Sequence, residues 1–154
     1  MDANLKRQIE ADCAKVATSY SVFLDFRRYA ELVELFTPEA KLDLDGWLLD
    51  GQSAIRDYMF SRPNSRTNRH VCSNLLIDAI DERHATGIAY VTIYRFDAND
   101  DSERKRMPFE GPYVVGYYKD EYEKRKDRWQ FSSRAISATF MRPAYYDVWS
   151  NILK

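Results

Sequence analysis

Cysteine is scarce in this chain of 154 residues. There are two, Cys13 and Cys72, with no CxxC pair and no Cys/His spacing of the kind that holds a metal. A disulfide framework and a zinc site are therefore excluded as organising features. Histidine is equally scarce, with only His70 and His84, so any imidazole chemistry rests on one of two positions. No apolar run approaches the length of a membrane span. The N-terminal M-D-A-N-L-K-R-Q lacks the apolar core of a secretory signal. An excess of one charge is missing too. Lys and Arg number 23 against 24 Asp and Glu, a net charge of −1, which gives no electrostatic ground for a nucleic acid or an anionic membrane as partner. These absences predict a reduced, cytoplasmic, soluble protein.

What remains is ordinary in bulk and unusual in one respect. The length fits one domain with room for a real core. Apolar residues make up 45% and charged residues 31%, as in soluble globular proteins generally. Aromatic residues reach 14%, with 11 Tyr. Tyrosine joins apolar area to a polar tip and suits a cavity that grips a ring-bearing ligand. Strands favour the same residues for packing alone.

The stretch 20–36, Y-S-V-F-L-D-F-R-R-Y-A-E-L-V-E-L-F, places one acid, Asp25, among apolar neighbours. A first helix is predicted over residues 4–24, with Leu5, Ile9, Cys13, Val16, Tyr20 and Leu24 at spacings of three and four. Asp25 follows Tyr20 by five positions, about 140° around an ideal helix. The two can meet only if the helix bends or ends near Asp25. Otherwise Asp25 faces solvent and pairs with Arg28 at i,i+3. A second short helix is predicted over 28–36, ended by Thr37-Pro38. K-L-D-L-D-G and Trp47-Leu48-Leu49 read as a hairpin, and residues 52–61 as a third helix. The loop S-R-P-N-S-R-T-N-R carries Arg62, Arg66 and Arg69. It is either a solvated loop or an attractor for a carboxylate or phosphate on a substrate. Four long strands are predicted over 70–80, 84–96, 109–122 and 129–140, with a charged connection at 97–105. The tail carries Tyr145, Tyr146, Trp149, Ile152 and Leu153, apolar enough to dock on its own domain or on a neighbouring subunit. Helices first and strands afterwards predict an α+β domain, a curved antiparallel sheet wrapped as a cone around the N-terminal helices.

This layout resembles the SnoaL-like branch of the nuclear transport factor 2-like superfamily. The residues that carry the resemblance are Y-S-V-F-L-D-F-R-R-Y-A-E-L-V-E-L-F-T-P-E-A, G-Q-S-A-I-R-D-Y, T-N-R-H-V-C-S-N-L-L-I-D and G-Y-Y-K-D-E-Y-E-K-R-K-D-R-W-Q-F. They extend over residues 5–140, with 141–154 as a tail. The resemblance implies a cystatin-like cone in a single domain, and the scaffold hosts many functions. Within the branch the chain is similar to the dehydratase-type lyases: scytalone dehydratase, bile-acid dehydratase and hexachlorocyclohexane dehydrochlorinase. Asp25 and His70 match their Asp and His, and Tyr20 matches the tyrosine of the bile-acid enzyme. Scytalone dehydratase has a second catalytic His on the following strand. Here that strand reads V-T-I-Y-R-F, and His84 lies too early, beside a turn. That enzyme's tyrosine near the second short strand is also absent, the local residues being Leu44 and Trp47.

The resemblance implies a cofactor-free lyase acting on a small hydrophobic, cyclic or steroid-like hydroxylated substrate. His70 would be the base, because an unperturbed imidazole titrates nearest neutrality. Asp25 would fix its tautomer, and Tyr20 would polarise the carbonyl or leaving oxygen. Trp47, Met59, Phe60, Tyr94 and Tyr113 are the expected pocket lining, and no metal is expected. Isomerisation, polyketide cyclisation and dehydrohalogenation begin with the same proton abstraction. A non-catalytic role, as a ligand- or partner-binding module or as an assembly domain like the small subunits of ring-hydroxylating dioxygenases, is the reading from another class. Under each, the open sheet face and tail predict a homo-oligomer, a trimer or a dimer.

Overall fold

Asp2 opens the first helix by accepting hydrogen bonds from the backbone N–H of Asn4 (2.8 Å) and Leu5 (3.0 Å), two of the donors that a helix start leaves unpaired. From there α1 (Ala3–Asp25) runs for 23 residues in the computed structural model, which describes residues 1–99 and 104–146 of the chain. Its buried stripe includes Ile9, Cys13, Val16, Tyr20 and Leu24, on the spacing read from the sequence. The helix ends at Asp25 because the chain reverses there. Phe26 caps it, Arg27 adopts a left-handed φ of 56°, and the Arg28 N–H donates to the Phe23 carbonyl at 2.8 Å. Then come α2 (Tyr29–Val33), β1 (Phe36–Leu44), β2 (Leu48–Asp50) and α3 (Gln52–Phe60). Four long strands follow: β3 (Arg66–Ala79), β4 (His84–Asp97), β5 (Val114–Arg125) and β6 (Arg128–Met141).

The strands form one sheet in the order β2-β1-β6-β5-β4-β3, with α1 packed across its inner face against β3 and β6. The architecture is α+β. The sheet is mixed, not antiparallel throughout: β1 and β6 pair in parallel. The β1–β2 hairpin and the β3-β4-β5-β6 meander are each antiparallel. After α3 the chain enters the sheet at the far edge, and the meander returns β6 beside β1 pointing the same way. Thr37-Pro38 lies inside β1 and does not terminate a helix. It falls where the pairing of β1 with β6 shifts register, between Phe36 and Lys41, the irregular kind of position where a strand tolerates proline. Phe109 precedes β5 and is exposed, with its ring against Tyr94.

Strand alternation decides what faces the helices. On β3, Arg66, Asn68 and His70 share the inner face. Asn74 (φ 49°) sits where the pairing with β4 shifts, between Ser73 and Leu76. This extra residue moves the inward set to Ile77 and Ala79. Cross-strand partners share a face, so His70↔Ile93 and Asn68↔Arg95 on β4, Ile93↔Val114 on β5 and Tyr118↔Ile136 on β6 all look inward.

An ion pair lies inside the core. Arg134 and Asp120 are register partners on β6 and β5. Their side chains are wholly buried and joined by two 2.8 Å hydrogen bonds. The Tyr122 hydroxyl donates to the same carboxylate at 2.9 Å. The guanidinium lies over the rings of Tyr118 (4.1 Å), Phe131 (4.3 Å) and Tyr20 (4.5 Å). Burial opposes its charge, and Asp120 outweighs that, so Arg134 is held protonated. Of the tail, Pro143–Tyr145 forms a 3₁₀ turn, and Tyr145 sets its ring edge-on to Tyr113 at 4.6 Å. Trp149, Ile152 and Leu153 lie outside the described residues.

Candidate active site

The cavity opens between the C-terminal half of α1, the end of α3 and the inner sheet face. Its inner void is about 80 Å³, within a cleft of about 670 Å³ counted out to solvent. Tyr20 and Leu24 of α1, Tyr58 and Arg62 from α3 and its exit, and Arg66, Asn68 and His70 of β3 form one side. Ile93, Arg95, Tyr113, Val114, Tyr118, Ile136 and Ala138 form the other, with Leu44 and Asp45 at the β1 turn.

Asp25 stands behind His70. Its Oδ1 is 2.6 Å from His70 Nδ1, and its Oδ2 accepts the His70 backbone N–H at 2.8 Å. Both side chains are buried, 5% exposed for His70 and 6% for Asp25. A carboxylate only accepts, so Nδ1 carries a ring hydrogen, and in the neutral imidazole Nε2 keeps its lone pair. Arg28, the alternative partner for Asp25, instead pairs with Glu31 at 2.7 Å. The clamp that sets this geometry is Arg27. Its guanidinium donates to the Asn64 side chain at 3.0 Å, to the Asn64 carbonyl, and to the Arg66 carbonyl at 2.7 Å. The end of α1 is thereby tied to the start of β3, four residues before His70.

Tyr20 lines the same cavity. Its ring packs edge-on against Phe36 (5.9 Å), Tyr118 (6.1 Å) and Phe131 (6.1 Å). It is therefore a core residue and a cavity residue together. Burial pushes its phenol up from 10.0 to about 12, with the Arg134 and Arg62 charges offsetting part of the effect. The Cys13 thiol rises from 9.0 to about 12, through burial and then the nearby Asp12. At working pH Tyr20 is a donor, and its stability linkage has a definite sign. Each folded-state value lies above the unfolded one, so the unfolded chain deprotonates first. Stability from the two groups is intact below pH 9 and is lost as pH climbs toward 12, at about 1.4 kcal/mol per pH unit per group. The buried phenols of Tyr118 and Tyr122 are raised in the same direction by burial, so urea unfolding at pH 8 and 11 reads the summed effect, and an unchanged midpoint at pH 11 contradicts it.

Of the five residues expected to line a pocket, Tyr113 does. Tyr94 sits between Ile93 and Arg95, so alternation turns it to the outer face, where it stacks on Phe109 at 5.7 Å. Met59 is fully buried beside Ile55 on the core side of α3, one helical step from the lining residue Tyr58. Phe60 is 58% exposed, with its edge on Tyr29. Trp47 backs the wall, packing on Tyr58 at 5.0 Å. The sequence reading missed Tyr58, Asn68, Arg95 and Tyr118. Counting back in twos from His70 yields Asn68 and Arg66. Arg95 and Tyr118 require the strand register, which single-sequence patterns leave open. Arg62 and Arg66 of the basic loop reach the cavity. Arg69 turns outward over Phe26 at 5.1 Å.

A six-stranded sheet backed by N-terminal helices, with a cavity between them, is a cystatin-like, nuclear transport factor 2-like fold. The chain belongs to the SnoaL-like domain family, whose model matches residues 7–135. No curated protein matches it in sequence. Solved structures share the fold at low identity. A candidate scytalone dehydratase from Novosphingobium aromaticivorans superposes with a TM-score of 0.69 at 20% identity, covering 86% of this chain and 85% of that one. The hexachlorocyclohexane dehydrochlorinase of Novosphingobium barchaimii gives 0.71 at 18%, covering 92% and 94%. The β subunit of a candidate aromatic-ring-hydroxylating dioxygenase from N. aromaticivorans gives 0.71 at 16%, covering 88% and 92%. Among the described residues no helix is long and apolar enough to cross a membrane.

Proposed function

We propose that this protein is a cofactor-free lyase that removes water from a small hydroxylated carbonyl compound. The observation that carries the reading is the buried Asp25–His70 pair, 2.6 Å apart, on a cavity that Tyr20 also lines. Nε2 of His70 takes the proton alpha to the carbonyl. Asp25 holds the ring in the tautomer that leaves Nε2 free and stabilises the imidazolium that forms. Tyr20, kept protonated by burial, donates to the oxygen on which charge develops. The imidazolium returns its proton to the departing hydroxyl. One C–H and one C–O bond break, one C=C bond forms and water leaves, so the electrons balance without a cofactor. Two of the structural neighbours, a candidate dehydratase and a dehydrochlorinase, are named for eliminations.

Volume narrows the substrate. The inner void of about 80 Å³ is smaller than the ~150 Å³ cavity that accepts benzene. A steroid would have to open the cleft, so the proposed substrate is hydrophobic and of small-ring size or below. Purified protein is tested on β-hydroxy and β-halo ketones and thioesters, each with and without a carboxylate, from four-carbon chains to one ring, by absorbance of the conjugated product. Turnover by the native protein is expected, with His70→Ala lowering it by about 100-fold or more and leaving the circular dichroism unchanged. Absent turnover, or turnover untouched by the substitution, removes the reading. β-Halo substrates used alone would favour dehydrohalogenation.

The same proposal includes a cytoplasmic location, in keeping with the two free thiols, and a homo-oligomer. The outer sheet face exposes Leu76, Ile88, Tyr90 and Phe140, an apolar surface of the sort copies bury. Sedimentation equilibrium at the monomer mass would exclude the homo-oligomer.

A further inference from the structure

We infer that the substrate carries a carboxylate and that Arg62 is the residue that binds it. The inference rests on the cavity being the substrate site and names the class of molecule that enters it. Three guanidiniums border the cavity: Arg62, Arg66 and Arg95. Arg66 and Arg95 share one carboxylate. Asp97 accepts from Arg66 at 2.8 Å and from Arg95 at 2.6 Å. Burial works against the Asp97 charge, and the two arginines outweigh it and hold the carboxyl below its ordinary value. Arg95 also donates to the Tyr113 hydroxyl at 3.2 Å and lies over the ring at 5.0 Å. It is fixed and satisfied.

Arg62 is different. Among the described residues it has no carboxylate partner. Its Nη1 is 3.4 Å from the Tyr58 hydroxyl, near the limit of a hydrogen bond. Its Nη2 reaches the Asn68 side-chain oxygen at 2.5 Å once that amide is turned to satisfy both groups. Its Nε is shielded from solvent and has no hydrogen-bond partner among the described residues. Asp45, the carboxylate from the β1 turn, spends Oδ1 on the Ala138 N–H at 3.1 Å and forms no ion pair with Arg62. The charge of Arg62 is felt at the Tyr20 phenol, so it acts within the reaction space. A guanidinium held at a partly dry wall without an anion is costly unless something supplies the anion. A carboxylate matches the paired N–H donors of a guanidinium fork, and it suits a void of about 80 Å³. Asn68, which touches Arg62, lies two residues before His70 on the same strand face, on the order of 7 Å away. The acid group would therefore sit several bonds from the carbon that loses its proton.

The test reads binding, not turnover, and so separates this inference from the lyase proposal. Formate, acetate and benzoate are titrated against formamide, acetamide and benzamide by calorimetry, with inorganic phosphate as a further probe. The proteins are the native chain, Arg62→Gln, Arg62→Lys and Arg69→Gln. At least one carboxylate is expected to bind the native protein about 10-fold or more tighter than the amide of the same shape. Arg62→Gln should abolish that preference, Arg62→Lys should keep part of it, and Arg69→Gln, whose guanidinium turns outward over Phe26, should leave it intact. Carboxylates that bind no better than their amides overturn the inference, as does a preference that survives in Arg62→Gln. Phosphate binding more tightly than every carboxylate overturns the assignment to a carboxylate. Should Arg62→Gln fail to fold, Arg62→Lys still decides: a preference for acid over amide undiminished in it overturns the assignment to Arg62.

Discussion

Replacing Asp120 by alanine is expected to remove about 3–5 kcal/mol of stability, the usual cost of breaking a buried ion pair from one side. Arg134 would keep its charge with no anion beside it, at 0% exposure. Its three ring contacts are individually worth about 0.5–2 kcal/mol and cannot replace a two-pronged carboxylate. The Tyr122 hydroxyl would lose its acceptor as well. For a domain of this size each kcal/mol moves Tm by roughly 2–4 °C, so a drop of about 6–20 °C should appear in a thermal melt. The companion experiment separates pairing from packing. The double variant Asp120→Leu, Arg134→Met removes both charges and should recover most of the loss. A single Asp120→Ala variant within about 1 kcal/mol of the native protein would mean that water or a rearranged neighbour neutralises Arg134. The pair also matters to the site, because Tyr20 and Tyr118 rest on the guanidinium with one face and line the cavity.

The fold was legible where local pattern and burial agree. The α1 stripe from Ile9 to Leu24 repeats at helical spacing, and the β4 run from His84 alternates in twos as its burial does. Parallel pairing of β1 with β6 was not legible, because the meander between them sets it and neither strand does. Asp25 and His70 could be named from the resemblance, but their contact depends on where α1 ends. A left-handed residue at that point is usually glycine. Here it is Arg27, whose side chain anchors the turn to Asn64 and Arg66, and nothing in local spacing announces that. The lining residues failed for a related reason. Tyr94 and Arg95 differ by one strand step, and a one-residue error in phase exchanges inner and outer faces. The buried Arg134–Asp120 pair was invisible for the opposite reason. Charged residues are ordinarily placed outside, and only the register that sets Asp120 opposite Arg134 shows them facing each other in the core.

Asp25→Asn should leave the fold standing and silence the chemistry. The amide oxygen can keep the hydrogen bond from the His70 backbone N–H that Oδ2 accepts now. That orientation points the amide nitrogen, a donor, at Nδ1, where Oδ1 accepts today. Two donors cannot share the contact, so the ring must carry its hydrogen on Nε2 and lose the lone pair that faces the cavity. The imidazolium would also form without an anion behind it. The corresponding exchange of Asp for Asn behind a catalytic histidine lowers kcat by about 10⁴-fold in serine proteases, and a loss of roughly 10³–10⁴-fold is expected here for any substrate the native protein turns over. The tautomer itself can be read without a substrate. Nitrogen-15 spectra of the His70 ring should show the proton on Nδ1 in the native protein and on Nε2 in the variant. An unchanged tautomer with unchanged turnover would show that Asp25 neither orients His70 nor supports its charge. A changed tautomer with unchanged turnover would take His70 out of the reaction. Only a change in both leaves Asp25 as the positioning residue for a catalytic His70.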